Sequence, residues 1–151
     1  MHFKKSAMLK QCYTANFCSP IHCAVINTNT DLLTFILKHI SGFSVGDSHN
    51  RKPIHYAATL PHSKALELLL KHGADPMDMD KKKTTPLMLA AKCGRVGNVR
   101  ILLERVREGQ YINFIGDEGL AALHYACVEG HREVVELMLE DQLVDRMAHT
   151  K

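Results

Sequence analysis

A six-residue pattern returns along the chain at a nearly fixed interval, and this recurrence restricts the possible folds more than any other feature. Ser19-Pro20-Ile21-His22-Cys23-Ala24 is repeated as Lys52-Pro53-Ile54-His55-Tyr56-Ala57, as Thr85-Pro86-Leu87-Met88-Leu89-Ala90 and as Ala121-Ala122-Leu123-His124-Tyr125-Ala126. Pro20, Pro53 and Pro86 stand 33 residues apart, and the fourth copy follows after 36. Such a period implies an array of small units, none able to bury its apolar face alone, stacked so that neighbours share one continuous core.

Each unit reads as a pair of helices. Ser or Thr before Pro is a helix start, because the hydroxyl can cap free N–H groups and Pro at the first helical position has no N–H to leave unpaired. The first helix is short and carries small residues such as Ala57-Ala58 and Ala90-Ala91, which permit close approach. The second is longer, with apolar sets Ala65, Leu66, Leu68, Leu69 and Leu70, then Val99, Ile101, Leu102 and Leu103, then Val134, Val135, Leu137, Met138 and Leu139. These cover too wide an arc for a helix with one buried stripe, so burial on both sides is required.

Period and motif together resemble the ankyrin-repeat family, whose unit is 33 residues with a T-P-L-H-x-A signature. The resemblance covers about residues 14–148. It implies an all-α solenoid of four helix-turn-helix repeats with projecting β-turns, at 14–46, 47–79, 80–115 with a three-residue insertion, and 116–148, between a lead-in 1–13 and a tail 149–151. Pro20, His22, Pro53, His55, Pro86, Leu123 and His124 are then motif residues that shape the fold.

Departures from the pattern carry their own expectations. Gly94 and Gly130 supply the left-handed backbone preferred between the two helices. Thr28 and Pro61 do not, and Pro61 cannot reach positive φ, so the second repeat should turn differently. Gly73-Ala74-Asp75-Pro76 ends that repeat in the usual way, whereas Ile40, Val106 and Gln142 replace the corresponding glycine elsewhere. The three extra residues before Gly109 amount to about one helical turn, which predicts a longer second helix through Arg105 and Arg107.

Catalytic and metal chemistry find little support. His22, His55 and His124 fall once per repeat at one motif position, and Met88 fills it in the other copy, which suits packing and not a ligand shell. Cys12, Cys18, Cys23, Cys93 and Cys127 form no CxxC pair and are odd in number, so reduced thiols are expected; Cys12, Cys18 and Cys23 near His22 match no standard ligand spacing. Cys127 is expected in the core and Cys93 at a helix edge. No phosphate loop, paired carboxylates or nucleophile elbow occurs. Neither an enzyme nor a cofactor is expected. With 46% apolar and 23% charged residues, no long apolar span and a basic, interrupted start, the expectation is a soluble cytoplasmic domain.

The resemblance implies a concave binding surface built from turn tips and the exposed ends of first helices. It would include Ser48, His49, Arg51, Thr59 and Leu60, then Lys81, Lys82, Thr84, Lys92 and Cys93, then Asp117, Glu118, Leu120, Val128 and Glu129. Residues 1–100 carry 14 Lys/Arg and 6 Asp/Glu, and residues 101–151 carry 5 and 10. Arg51, Lys52, Lys81, Lys82 and Lys83 form a basic stretch at successive tips, suited to an anionic protein segment or lipid headgroup. Nucleic acid is disfavoured, because no aromatic residues interleave the cations. The expected partner is a protein.

A second resemblance is narrower. Lys81-Lys82-Lys83, Cys93-Gly94-Arg95-Val96 through Leu102-Leu103, the 36-residue spacing, Asn113, Asp117, Gly119, Leu123-His124-Tyr125-Ala126 and Gly130-His131 are similar to a repeat pair in the cytosolic ankyrin arm of TRPA-type cation channels. It implies coupling of stimuli or partners to a pore outside this chain. The apolar second helix of the fourth repeat fits the same view, since a stack ordinarily ends on a polar face. The chain is therefore expected to be part of a longer stack, with that helix partly uncovered.

Overall fold

Pro at the first helical position in three of the four repeats, and small residues on the inner face, decide where the helix pairs begin and how closely they stack. The computed structural model describes residues 18–27, 29–40, 44–106 and 109–140. Expectations concerning Cys12, Thr28, Arg107, Gln142 and segments 1–13 and 149–151 lie outside them. The helices are α1 (Pro20–Ile26), α2 (Thr30–His39), α3 (Pro53–Thr59), α4 (Lys64–Lys71), α5 (Pro86–Lys92), α6 (Val96–Arg105), α7 (Gly109–Ile112), α8 (Ala122–Val128) and α9 (Arg132–Glu140). The described residues contain no strand.

The short helices α1, α3, α5 and α8 form an inner row in which α3 lies between α1 and α5, and α5 between α3 and α8. Ala57, Ala58, Ala90 and Ala91 have no exposed surface, so alanine at these positions sets the spacing of the row. The longer helices α2, α4, α6 and α9 each pack on their own partner, filling the space behind with Leu33, Leu66, Leu69, Leu102 and Met138. Each such side chain is worth roughly 1.5–3 kcal/mol relative to exposure.

Helix starts follow two patterns. Thr85 Oγ1 accepts the Met88 N–H at 3.3 Å, as its position before Pro86 predicts. In the other three repeats a histidine three residues on serves the cap residue: Nδ1 of His22, His55 and His124 accepts the N–H of Ser19, Lys52 and Ala121 at 3.1, 3.0 and 3.1 Å. The Ser19 hydroxyl turns to His22 Nδ1 as well, at 2.8 Å.

Helix ends show the consequence of Pro61. At Gly94 (φ +69°) and Gly130 (φ +74°) the chain reverses, and the next two N–H groups close onto the helix: Gly94 and Arg95 onto Ala91 and Ala90, Gly130 and His131 onto Cys127 and Ala126. Pro61 permits no such closure after α3. Instead the side-chain amide of Asn98, buried at 1% exposure, donates to the carbonyls of Ala57, Ala58 and Leu60 at 3.2, 3.0 and 3.0 Å. Asn98 stands where the neighbouring repeats have Ala65 and Val134. A polar residue at an apolar register position is thus explained by a proline 37 residues earlier.

The expected longer helix in the third repeat is not formed. α6 ends at Arg105; Val106 is buried, leaves the helical conformation (φ −104°, ψ 77°) and closes the helix through its N–H to Leu102 O at 2.8 Å. The insertion then contributes a separate turn, α7, whose Ile112 is buried in the core. Seating Val106 and Ile112 in apolar surroundings outweighs one more turn of solvated helix.

The pairing of Pro61 with Asn98 is open to test. Asn98→Val fits the register but removes the amide shared by the carbonyls of Ala57, Ala58 and Leu60, of which Ala57 O keeps the Leu60 N–H, and should lower stability by about 1–3 kcal/mol. Adding Pro61→Gly restores a closing turn, so the double variant should recover much of that loss in urea denaturation, a coupling absent if the sites are independent.

Candidate partner-binding surface

The projecting turns are built around one carboxylate each. In the second repeat, Asp47 Oδ1 accepts the N–H groups of His49 and Arg51, both at 2.9 Å, while Asp47 N bonds to Arg51 O and Asn50 N to Asp47 O. In the third, Asp80 Oδ1 accepts Lys82 N at 2.9 Å and Thr84 N at 2.8 Å, with the same two backbone bonds. Asn50 and Lys83 take positive φ at the same turn position, and Gly119 takes it in the fourth. Asp47 and Asp80 are not among the motif residues named from the sequence. Their signal was available: both lie six residues before the motif proline, one period apart.

Successive tips are tied edge to edge. Lys81 N bonds to His49 O at 2.9 Å and Asp117 N to Lys82 O at 3.0 Å. Gly116 occupies the fourth turn where the others have Asp, and a Cβ there would stand 3.1 Å from Lys83 O. The basic stretch is thereby set against the acidic tip: Lys82 Nζ lies 3.8 Å from Glu118 Oε1 and Lys83 Nζ 3.5 Å from Asp117 Oδ1. Arg51 faces Asp80 at 3.7 Å, and Lys52 pairs with Asp78 at 2.9 Å. The first two pairs are solvent-exposed and so worth about 0–1 kcal/mol each.

The ends of the inner helices form the second row. Thr59, Leu60 and Cys93 are half-buried, Lys92 and Glu129 exposed, and Val128 is 72% exposed. Each end is held by the following repeat: Arg95 Nε donates to Thr59 O at 2.7 Å, and His131 Nε2 bonds to Lys92 O at 2.8 Å. Lys92 Nζ sits 5.4 Å above the Tyr125 ring. Of the remaining surface residues inferred from sequence, His49, Lys81, Asp117 and Glu118 are exposed, while Ser48, Thr84 and Leu120 are half-buried.

The motif histidines link repeats. Because Nδ1 of His22 and His55 accepts a backbone N–H, the proton of the neutral ring resides on Nε2, which donates to Arg51 O at 2.7 Å and Thr84 O at 3.2 Å. Burial holds both imidazoles below their ordinary pKa, against the carbonyl bond and nearby carboxylates, Asp47 for His22 and Asp80 and Asp78 for His55. For Asp47 the cost of burial is outweighed by bonds from Tyr56, Arg51 and His49, so its carboxyl lies below the usual range. Tyr125, by burial and then by its bond to Glu118 (2.8 Å), is pushed up to about 12. Among the described residues no cluster of three His, Cys, Asp or Glu side chains could hold a metal.

Two cysteine expectations change. Cys18, Cys93 and Cys127 carry free thiols, but Cys23 is disulfide-bonded. Cys127, expected in the core, is exposed, although its counterparts Val25, Ala58 and Ala91 are at most 1% exposed. Those three are covered by the following inner helix, and none follows α8 among the described residues. The same side of the fourth repeat leaves Leu123, His124, Val135 and Leu139 half-buried where the second and third repeats bury the equivalent residues, while Val134 and Met138 remain fully buried.

The family model for ankyrin repeats matches residues 4–80 and 76–147. The chain belongs to the ankyrin-repeat family. Its relatives include the transient receptor potential channel pyrexia of Drosophila melanogaster, 35% identical over 85% of this chain, and the human transient receptor potential cation channel subfamily A member 1, 31% identical over 83%. The poly [ADP-ribose] polymerase tankyrase of Caenorhabditis elegans is 28% identical over 91%. The ankyrin chain spans only 7%, 13% and 12% of tankyrase, pyrexia and the human channel, respectively. Among the described residues no helix is long and apolar enough to cross a membrane.

The histidine links set a pH dependence for this ankyrin stack. A base whose folded pKa is depressed gives its full stability above the unfolded value, near 6.5, and loses it as pH falls below that value. Urea stability should therefore decline from pH 7 to pH 5, by at most about 1.4 kcal/mol per pH unit for each histidine. His55→Met, copying Met88, should make that slope shallower.

Proposed function

We propose that this ankyrin stack is a non-catalytic, cytoplasmic binding module whose protein partner lies along the turn tips and inner-helix ends. Ankyrin repeats are protein-interaction modules, and the reading rests on one observation above the rest. The backbone bonds from Lys81 to His49 and from Asp117 to Lys82 hold three tips as one rigid edge, which presents side chains with little further loss of entropy on binding. On that edge, among the described residues, Lys81 is exposed and makes no ion pair, while Lys82 and Lys83 make only long, solvated ones that an incoming carboxylate can replace. An acidic segment is the favoured partner. Asp117 and Glu118, at the same height, disfavour a flat anionic membrane.

The test uses hexaglutamate as the probe. Lys81→Ser/Lys82→Ser/Lys83→Ser should weaken its binding by about tenfold, chiefly through association, and flatten its salt dependence. Equal affinity for variant and parent at low salt would refute the role of the basic edge.

A second reading has its own support: the stack as part of the cytosolic arm of a TRPA-type channel, coupling partners or stimuli to a pore. The channel relatives favour it, as does the loss of cover at Leu123, His124, Cys127, Val135 and Leu139. His124 Nε2 has no acceptor among the described residues, whereas His22 and His55 each bond to the next turn. On this chain alone, amides of Val134 to Leu139 should exchange hydrogen faster than those of Leu66 to Leu70. Equal protection in a monomeric sample would count against an uncovered end.

A further inference from the structure

The three described turns share one backbone and differ in one group. Turns two and three each contain a carboxylate oxygen, Asp47 Oδ1 or Asp80 Oδ1, that accepts two backbone N–H groups at 2.8–2.9 Å. Turn four repeats the backbone bonds, Gly116 N to Leu120 O and Gly119 N to Gly116 O, as well as the bond to the preceding tip. Its first residue is Gly116, and the N–H groups of Glu118 and Leu120, equivalent to those of Lys82 and Thr84, have no acceptor among the described residues.

Two neighbouring differences set this turn apart. Over the Asp80 carboxylate lies the Arg51 guanidinium; one period on, the residue is the shorter Thr84. Glu118 takes over the tyrosine that Asp47 engages in turn two, but its oxygens face Tyr125 and Lys82 and accept neither amide. Lys82 and Lys83 border the turn, 67% and 58% exposed. A Cβ at 116 would stand 3.1 Å from Lys83 O, a tight contact that a side chain there relieves only by a shift of a few tenths of an ångström.

We propose that turn four is a carboxylate-binding site: an Asp or Glu side chain of the partner supplies the oxygen that Asp47 and Asp80 supply in their own turns, accepting from Glu118 N–H and Leu120 N–H while Lys82 and Lys83 steer it. Charge-assisted bonds from two fixed amides recognise a single oxygen in one direction, which the lysines alone do not. This deepens the acidic-partner reading and rests on it.

Titration with hexaglutamate, followed by the amide resonances of the full chain, tests the site. In the parent, the amide protons of Glu118 and Leu120 should move downfield, and hexaglutamine should move neither. Gly116→Asp provides an internal carboxylate, so both resonances should be shifted beforehand and affinity should fall about tenfold. Gly116→Ala, which adds the Cβ without the charge, should stay within about twofold of the parent and controls for crowding at Lys83 O. If hexaglutamate binding depends on Lys81 to Lys83 while the Glu118 and Leu120 amides stay still, the site is overturned and the broader reading stands. If hexaglutamate does not bind the parent at all, both fall. Vesicles containing phosphatidylserine that shift these two amides more than hexaglutamate does would overturn the peptide carboxylate as ligand.

Discussion

His55 belongs to two repeats at once, and much else depends on that. Its Nδ1 accepts a proton from the start of its own helix and its Nε2 donates to the carbonyl of Thr84 in the next turn, while the ring is buried between them. Neutral imidazole is the form that does both, because protonating Nδ1 would turn a donor toward a donor. His22 makes the same bridge to Arg51. The bridges fix the distance from inner helix to following turn, and so the alignment of the tips. Repeats of this kind are incomplete by construction: each leaves polar groups that the next one satisfies.

The same rule explains residues that look anomalous in isolation. Asn98 is polar in an apolar register because Pro61 removed the glycine closure of the preceding repeat, and its NH2 group, shared among three carbonyls, supplies the donors that the backbone there lacks. Arg95 and His131 reach back to the last carbonyl of the previous inner helix. One repeat's departure is thus compensated in its neighbour, as expected where stability is summed over interfaces between units.

Electrostatics at the tips is more local than composition suggests. The sequence separates into a basic and an acidic part, but stacking places the basic tip of the third repeat beside the acidic tip of the fourth, where Lys82 and Lys83 meet Glu118 and Asp117. The long-range field is reduced, and recognition is left to positioned donors with a modest surplus of positive charge. In turn four those donors are the amides beside Gly116.

The all-helical repeat architecture and the placement of Pro53, His55, Pro86 and Leu123 were legible in the sequence, because a period of 33 residues recurs whether or not the chain is folded and each motif residue acts within its own helix start. The glycine turns at 94 and 130 were legible for the same local reason. Three outcomes were not: the break at Val106, which follows from seating that side chain in a core shared with other helices; the exposure of Cys127, which depends on what lies across α8; and the pairing of Pro61 with Asn98. The pairing of the basic and acidic tips was hidden likewise, since Lys82 and Glu118 are 36 residues apart and become neighbours only when the turns stack. Local backbone chemistry is written residue by residue, so the sequence alone determined the repeats. Which side chain completes another repeat's hydrogen bonds or charge depends on distances set by packing, and only the tertiary structure decided that.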